Sequence, residues 1–160
     1  MHKNIEIRSR ENVTNNGEVF TPTKIVKEML ELIPPEAWKN PSYCFLEPTC
    51  GNGQFLVEVL LKRLRNGLSA EQSLNTLIGM DITAINIEES IDRLYQTAVE
   101  SGDLSEKQKL RILAILYNNI FKVDDSLKLM KEYGEKKGEL YNKKFVYDDP
   151  TGNDRVIFKG

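Results

Sequence analysis

One histidine, His2, stands in this chain of 160 residues, and it lies in a polar N-terminal stretch. A mechanism built on histidine acid–base chemistry is therefore not expected. The same scarcity leaves no His/Cys cluster to hold a metal. Cysteine occurs twice, at Cys44 and Cys50. This count suits reduced thiols in a reducing compartment and excludes a disulfide framework. No apolar run reaches membrane length, and no secretory leader is recognisable, so no membrane partner is expected. A basic excess is missing too: the formal net charge is -2 and the pI about 5.6. No global field draws the chain onto nucleic acid. Lys128, Lys131, Lys136, Lys137, Lys143 and Lys144 cluster, but with acids among them, as on a solvated mixed-charge surface. The phosphate-loop pattern G-x-x-x-x-G-K-S/T is absent. What remains, 40% hydrophobic and 29% charged residues, fits one globular domain with a real core.

The most informative stretch is Phe45-Leu46-Glu47-Pro48-Thr49-Cys50-Gly51-Asn52-Gly53-Gln54-Phe55-Leu56. A short apolar run ends in the carboxylate of Glu47, and Pro48 cannot continue a ladder. Gly51 and Gly53 bracket Asn52, and apolar residues at Phe55, Leu56, Val59, Leu60 and Leu64 then follow a helical period. Strand, acid, glycine loop and helix come in that order. Such a turn brings bare backbone close to a ligand and aims a helix N-terminus at it. A carboxylate at the strand end suits a ligand amine or hydroxyl and repels a pyrophosphate. The expected ligand is a nucleoside carrying an amino acid, S-adenosylmethionine, in preference to NAD or ATP.

The rest of the chain alternates strands and helices, the pattern of a doubly wound parallel sheet. Residues 1–16 read as a mobile arm and 17–160 as the domain. Thr21-Pro22 predicts an N-cap and a first-turn proline for a helix running to about Ile33, burying Ile25, Val26, Met29, Leu30 and Ile33. Residues 36–42 connect it to a strand over 43–47, and Asn66-Gly67 closes the glycine-loop helix. Ser69-Ala70-Glu71-Gln72 predicts a capping box opening a short helix. Further strands are expected at 77–81, 119–123, 145–148 and 156–158, and helices at 84–100, 105–117 and, for a turn or two, 126–133. The helix at 84–100 should bury Ile87, Ile91, Leu94, Tyr95 and Ala98, and the next Leu110, Leu113, Ala114 and Leu116. Asp149-Pro150-Thr151-Gly152-Asn153 reads as a turn.

Four motifs together resemble the amino-group DNA methyltransferases, especially the N6-adenine type. They are Asn16-Gly17-Glu18-Val19-Phe20-Thr21-Pro22, Glu47-Pro48-Thr49-Cys50-Gly51-Asn52-Gly53, Ile78-Gly79-Met80-Asp81-Ile82 and Asn119-Ile120-Phe121-Lys122-Val123-Asp124-Asp125-Ser126-Leu127. The resemblance implies an α/β, Rossmann-like, S-adenosylmethionine-dependent methyltransferase fold with an abbreviated sheet of order 3-2-1-4 and an added antiparallel strand. It implies cofactor contacts at Phe20, Thr21, Glu47, Pro48, Cys50, Gly51, Gly53, Phe55, Asp81, Ile82, Asp124 and Asp125. Glu47 would take the methionine ammonium and Asp81 the ribose hydroxyls. Asp124 and Asp125 compete to accept from the adenine amino group, Asp125 fitting the pattern better, with a helix N-cap as the other role. Cys50 reads as a small loop residue and not a nucleophile.

The family's catalytic Asn/Asp/Ser-Pro-Pro-aromatic has no counterpart after residue 127. Asp148-Asp149-Pro150 comes nearest. Asp149 and Pro150 are thus candidate catalytic residues, against the competing reading of a hairpin turn. The resemblance implies DNA adenine methylation of the restriction-modification or phage kind, in the cytoplasm of a bacterial or phage-infected cell. The chain would be incomplete or inactive alone, and would engage DNA through a partner. A second copy or a second methyltransferase subunit is expected to cover the open sheet edge. The alternative is a catalytically silent cofactor-binding protein that pairs with a full methyltransferase.

Overall fold

The computed structural model describes residues 21–135 and the two strands at 145–148 and 154–158. Three parallel strands form the sheet: β1 (Phe45–Glu47), β2 (Leu77–Asp81) and β3 (Ile120–Lys122). They lie in the order β1-β2-β3, with Phe45 beside Leu77, Glu47 beside Gly79, Gly79 beside Ile120 and Asp81 beside Lys122. β2 is central and buried along its whole length, so its sequence, Leu-Ile-Gly-Met-Asp, is nearly unbroken apolar where an edge strand would alternate.

The helices are α1 (Thr23–Leu30), α2 (Gln54–Arg65), α3 (Ala70–Asn75), α4 (Ala84–Glu100), α5 (Glu106–Asn119) and α6 (Ser126–Glu135), with a 3-10 turn at Pro35–Trp38. α2 and α3 link β1 to β2, and α4 and α5 link β2 to β3. Successive strand side chains alternate between faces. Phe45, Leu77 and Ile120 join the main core with Leu56, Val59 and Leu60 of α2, Leu74 of α3, Leu94 of α4 and Leu116 of α5. Ile78, Met80, Phe121 and Val123 form a second cluster on the other face, against which Leu46 and Leu129 pack.

Local chemistry sets the boundaries. Ser69 accepts from the Gln72 amide while the Gln72 side chain accepts from the Ser69 amide, the expected capping box. Ser105 and Gln108 repeat the device at the start of α5. Gly67, at φ 93°, follows the Asn66 C-cap of α2 as the sequence predicts. Gly79 is required by close approach. A Cβ there would lie 2.6 Å from Leu56 Cδ1 and 3.3 Å from Cys50 Cβ, so glycine lets α2 and the loop before it seat on β2.

Several expectations are corrected. α1 ends at Leu30, and Pro22 itself is the N-cap residue, with no side-chain cap bond. Its proline ring and extended ψ of 139° leave the helix to begin at Thr23. Val26 and Leu30 are buried, but Ile25 and Met29 are about half exposed: an eight-residue helix turns only one narrow stripe inward. On α5 the buried pair is Ile112 and Leu116, while Leu110 and Ala114 face out. The fourth strand does not extend the sheet. β4 (Phe145–Asp148) pairs antiparallel with β5 (Asp154–Phe158) in a separate two-stranded sheet. A hairpin closes a far shorter loop than a return to β1 would, at lower entropic cost. The expected order 3-2-1 is therefore present, and among the described residues no fourth strand joins it.

Candidate functional site at the strand ends

The carboxyl ends of three adjacent parallel strands carry Glu47, Asp81 and the Asp124-Asp125 pair. Between the first two lies the glycine loop. The Cys50 amide donates to the Met80 carbonyl across 2.8 Å, tying the loop to β2 beyond the end of β1. The Gly53 amide donates to the Cys50 carbonyl, also at 2.8 Å, closing a tight turn. Gly51 sits at φ 53° and Gly53 at φ 83°, left-handed values that disfavour any side chain. Gly53 is the N-cap of α2 and offers no side-chain cap to the backbone amides of the first turn.

Asp81 is buried and organises this loop. Its Oδ2 accepts from the Gly51 amide at 3.0 Å, and its Oδ1 from the Thr83 amide at 2.8 Å and from Asn86 Nδ2 at 3.0 Å. A carboxylate has about four acceptor positions, so these three donors leave about one.

Helix α4 supplies a floor that the sequence reading missed. Ser90, fully buried, donates its hydroxyl to the Gly51 carbonyl at 2.8 Å. Its Oγ would lie 3.0 Å from a Cβ at Gly53. Arg93 donates from Nη1 to the Asn52 carbonyl at 3.2 Å and from Nη2 to Gln54 Oε1 at 3.0 Å. Asn86, Ser90, Arg93 and Thr97 recur at helical spacing beside the apolar stripe of Ile87, Ile91, Leu94 and Ala98. That second, polar stripe was the available signal.

Glu47 is half-buried, and its Oε1 accepts from the Thr49 amide and hydroxyl, both at 3.2 Å. It also borders a cavity of about 180 Å³ between α1, β1 and α2, lined otherwise by apolar side chains that include Met29, Leu46 and Phe55. Pro48 is half-buried in the loop, as is Thr21 just before α1. Ile82 is 52% exposed beside Asp81. Asp125 accepts from the Lys128 amide at 2.8 Å, an N-cap bond at the start of α6. Asp124 is exposed, 3.8 Å from the Lys122 ammonium. Phe20, Asp149 and Pro150 lie outside the described residues.

Burial pushes the Cys50 thiol up to about 12, Asp81 and Glu47 adding to the shift and a hydrogen bond with Ser90 opposing it. Burial likewise raises Cys44 to about 11, against the nearby Arg63 charge. Thiols held this far above neutral pH are poor nucleophiles. Among the described residues no group of acidic, cysteine or histidine side chains is arranged to hold a metal, and no helix is long and apolar enough to cross a membrane. No protein-family model, curated protein or solved structure matches the chain.

Proposed function

We propose that the chain binds S-adenosylmethionine at the carboxyl ends of β1 and β2, as the cofactor-binding part of a DNA N6-adenine methyltransferase-like protein that is inactive alone. The observation that carries the reading is the convergence of the Gly51/Gly53 loop with two acids, Glu47 and Asp81, at adjacent strand ends. S-adenosylmethionine, when bound, supplies a methyl group activated on a sulfonium. The residues suit such a ligand. Glu47 offers a carboxylate to an ammonium. Asp81 has about one acceptor position left for a hydroxyl. The glycines keep side chains out of the loop, and the N-terminus of α2 favours a carboxylate. Cys50, Pro48, Phe55 and Ile82 would shape the walls, Thr21 the approach from α1, and Asp124 or Asp125 the far side beyond β2.

A second reading is a catalytically silent cofactor-binding protein that pairs with a separate methyltransferase. Two observations favour it. The chain carries no Pro-Pro-aromatic after residue 127. Strand β4, which ends next to Asp149, belongs to a hairpin and not to the sheet. Calorimetry with S-adenosylhomocysteine tests binding: absence of heat at millimolar ligand, with the protein folded, removes both readings. Transfer of a tritiated methyl group from S-adenosylmethionine to unmethylated DNA separates them. None is expected from the chain alone, since the Pro-Pro-aromatic that would grip a flipped adenine is not found after residue 127 and a net charge of -2 gives no general attraction to phosphates. Activity abolished by Asp149→Ala would make Asp149 and Pro150 an active site. Activity appearing with an added partner would favour the split enzyme.

A further inference from the structure

Gln54, the first residue of α2, joins two parts of the molecule that the sheet does not connect. Its Oε1 accepts from Arg93 Nη2 at 3.0 Å, and its Nε2 donates to Thr23 Oγ1 at 2.7 Å. The same guanidinium reaches the Asn52 carbonyl through Nη1 at 3.2 Å. An arginine can only donate, so the amide oxygen must face Arg93 and the amide nitrogen Thr23. A hydrogen-bonded strap thus runs from the middle of α4, across the glycine loop, to the first residue of α1. Thr23 has no part in capping its own helix; its hydroxyl accepts from Gln54 instead. The forked, charge-assisted contacts of Arg93 fix the direction of the strap more firmly than a neutral pair would.

We propose that Gln54 is a positioning residue that couples the start of α1 to the glycine loop. A ligand that orders residues 51–53 then also orders α1 and the approach to it at Thr21, and a disturbance at Thr23 is felt as weaker binding. The proposal rests on the S-adenosylmethionine reading for its ligand, though not for the strap itself. Coupling of this kind is reciprocal: what the ligand does to α1, α1 does to the ligand.

The test uses the full chain, with Gln54→Leu, Gln54→Glu and Thr23→Val variants, and S-adenosylhomocysteine as probe. A glutamate at 54 keeps the acceptor for Arg93, and the Thr23 hydroxyl can turn round to donate to it. A leucine loses both bonds. Gln54→Leu and Thr23→Val are each expected to weaken binding about tenfold, and the double variant little further. Gln54→Glu should restore most of the affinity. Ligand-induced protection of the α1 amides from hydrogen exchange should vanish in Gln54→Leu and return in Gln54→Glu. A merely structural residue would not link ligand to α1 in this way. If the wild type binds and Gln54→Leu binds equally well, the proposal is overturned and the binding reading stands. If the wild type does not bind, that reading fails, and the strap is judged on the ligand-free protein. Faster exchange of α1 amides in Gln54→Leu, reversed in Gln54→Glu, then supports it; unchanged exchange overturns it.

Discussion

The Gly51 amide donates to the Asp81 carboxylate across 3.0 Å, linking the glycine loop after β1 to the last residue of β2. The acid proposed to receive a ligand hydroxyl is thus already part of the scaffold. With Thr83 and Asn86 on its other oxygen, Asp81 holds three elements in register: the loop, the end of β2 and the start of α4. Ligand binding and loop stability are therefore expected to respond together to changes at this position.

Asp81→Asn is the sharp test of that double role. The replacement amide has one acceptor oxygen. Keeping the Thr83 and Asn86 bonds turns its NH2 toward the Gly51 N–H, donor against donor. A loss of about 2 kcal/mol is expected in the ligand-free protein, from a part-buried donor left facing another donor. For a chain of this size that is roughly 4–8 °C in the melting temperature. Calorimetric melting without ligand checks it. An unchanged transition would mean that the carboxylate serves the ligand alone.

Gly79→Ala should destabilise by about 1–3 kcal/mol, as overpacking of a tight core does. The new methyl would meet Leu56 Cδ1 at 2.6 Å and Ile120 Cδ1 at 3.2 Å, inside the main core, with Cys50 Cβ at 3.3 Å. Leu56 Cδ1 ends a flexible side chain, but Leu56 is buried in the main core, so turning it aside displaces packed neighbours and the adjoining loop should loosen as well. Urea unfolding reads the first effect, and hydrogen exchange at residues 50–53 the second. Wild-type stability would show that α2 can shift off β2 freely.

The local order of this site was legible in the sequence because each signal is short-range. The apolar run of β2, the glycines at 51 and 53 and the Ser69–Gln72 box act within a few residues. What could not be read depends on which faces meet. Ile25 and Met29 fit the helical period, yet α1 presents them to solvent. Phe145–Asp148 reads as a strand and is one, but its partner is β5 and not β1. The floor of the site was missed for the same reason. Asn86, Ser90 and Arg93 look like ordinary polar helix positions until α4 is laid beneath the loop.

Arg63 offers a test outside the site. It is fully buried, and its guanidinium donates to the Ser73, Asn40 and Tyr43 carbonyls and to Thr76 Oγ1, at 2.8 to 3.4 Å. It pins the connector before β1 and the end of α3 to α2, and lies over the Phe45 ring. Burial lowers its pKa. Arg63→Leu would strand the buried Ser73 carbonyl, at about 1–3 kcal/mol, and remove the donor from three part-buried acceptors at Thr76, Asn40 and Tyr43. A total near 3–5 kcal/mol is expected in urea unfolding. Arg63→Lys should not rescue, because an ammonium lacks the fork that spans both groups of carbonyls.

The buried thiol of Cys50 predicts the alkaline behaviour of the fold. Its pKa is raised from 9.0 to about 12, chiefly by burial. Below pH 9 the thiol is neutral in both folded and unfolded chains and adds no pH dependence. Between pH 9 and about 12 the unfolded chain gives up this proton and the folded one keeps it. Stability should therefore fall as pH rises, by about 1.4 kcal/mol per pH unit from this group. Lysines and tyrosines titrate in the same range, so the quantity to measure is the difference between wild type and Cys50→Ala. The variant, less stable at pH 8 through its smaller side chain, should lose less on going to pH 11, and the two unfolding curves should converge. Parallel loss in both proteins would mean that the Cys50 thiol ionises in the folded state nearly as easily as in the unfolded one. Iodoacetamide gives a second readout: at pH 8 the folded chain should resist alkylation at Cys50, and urea should expose it.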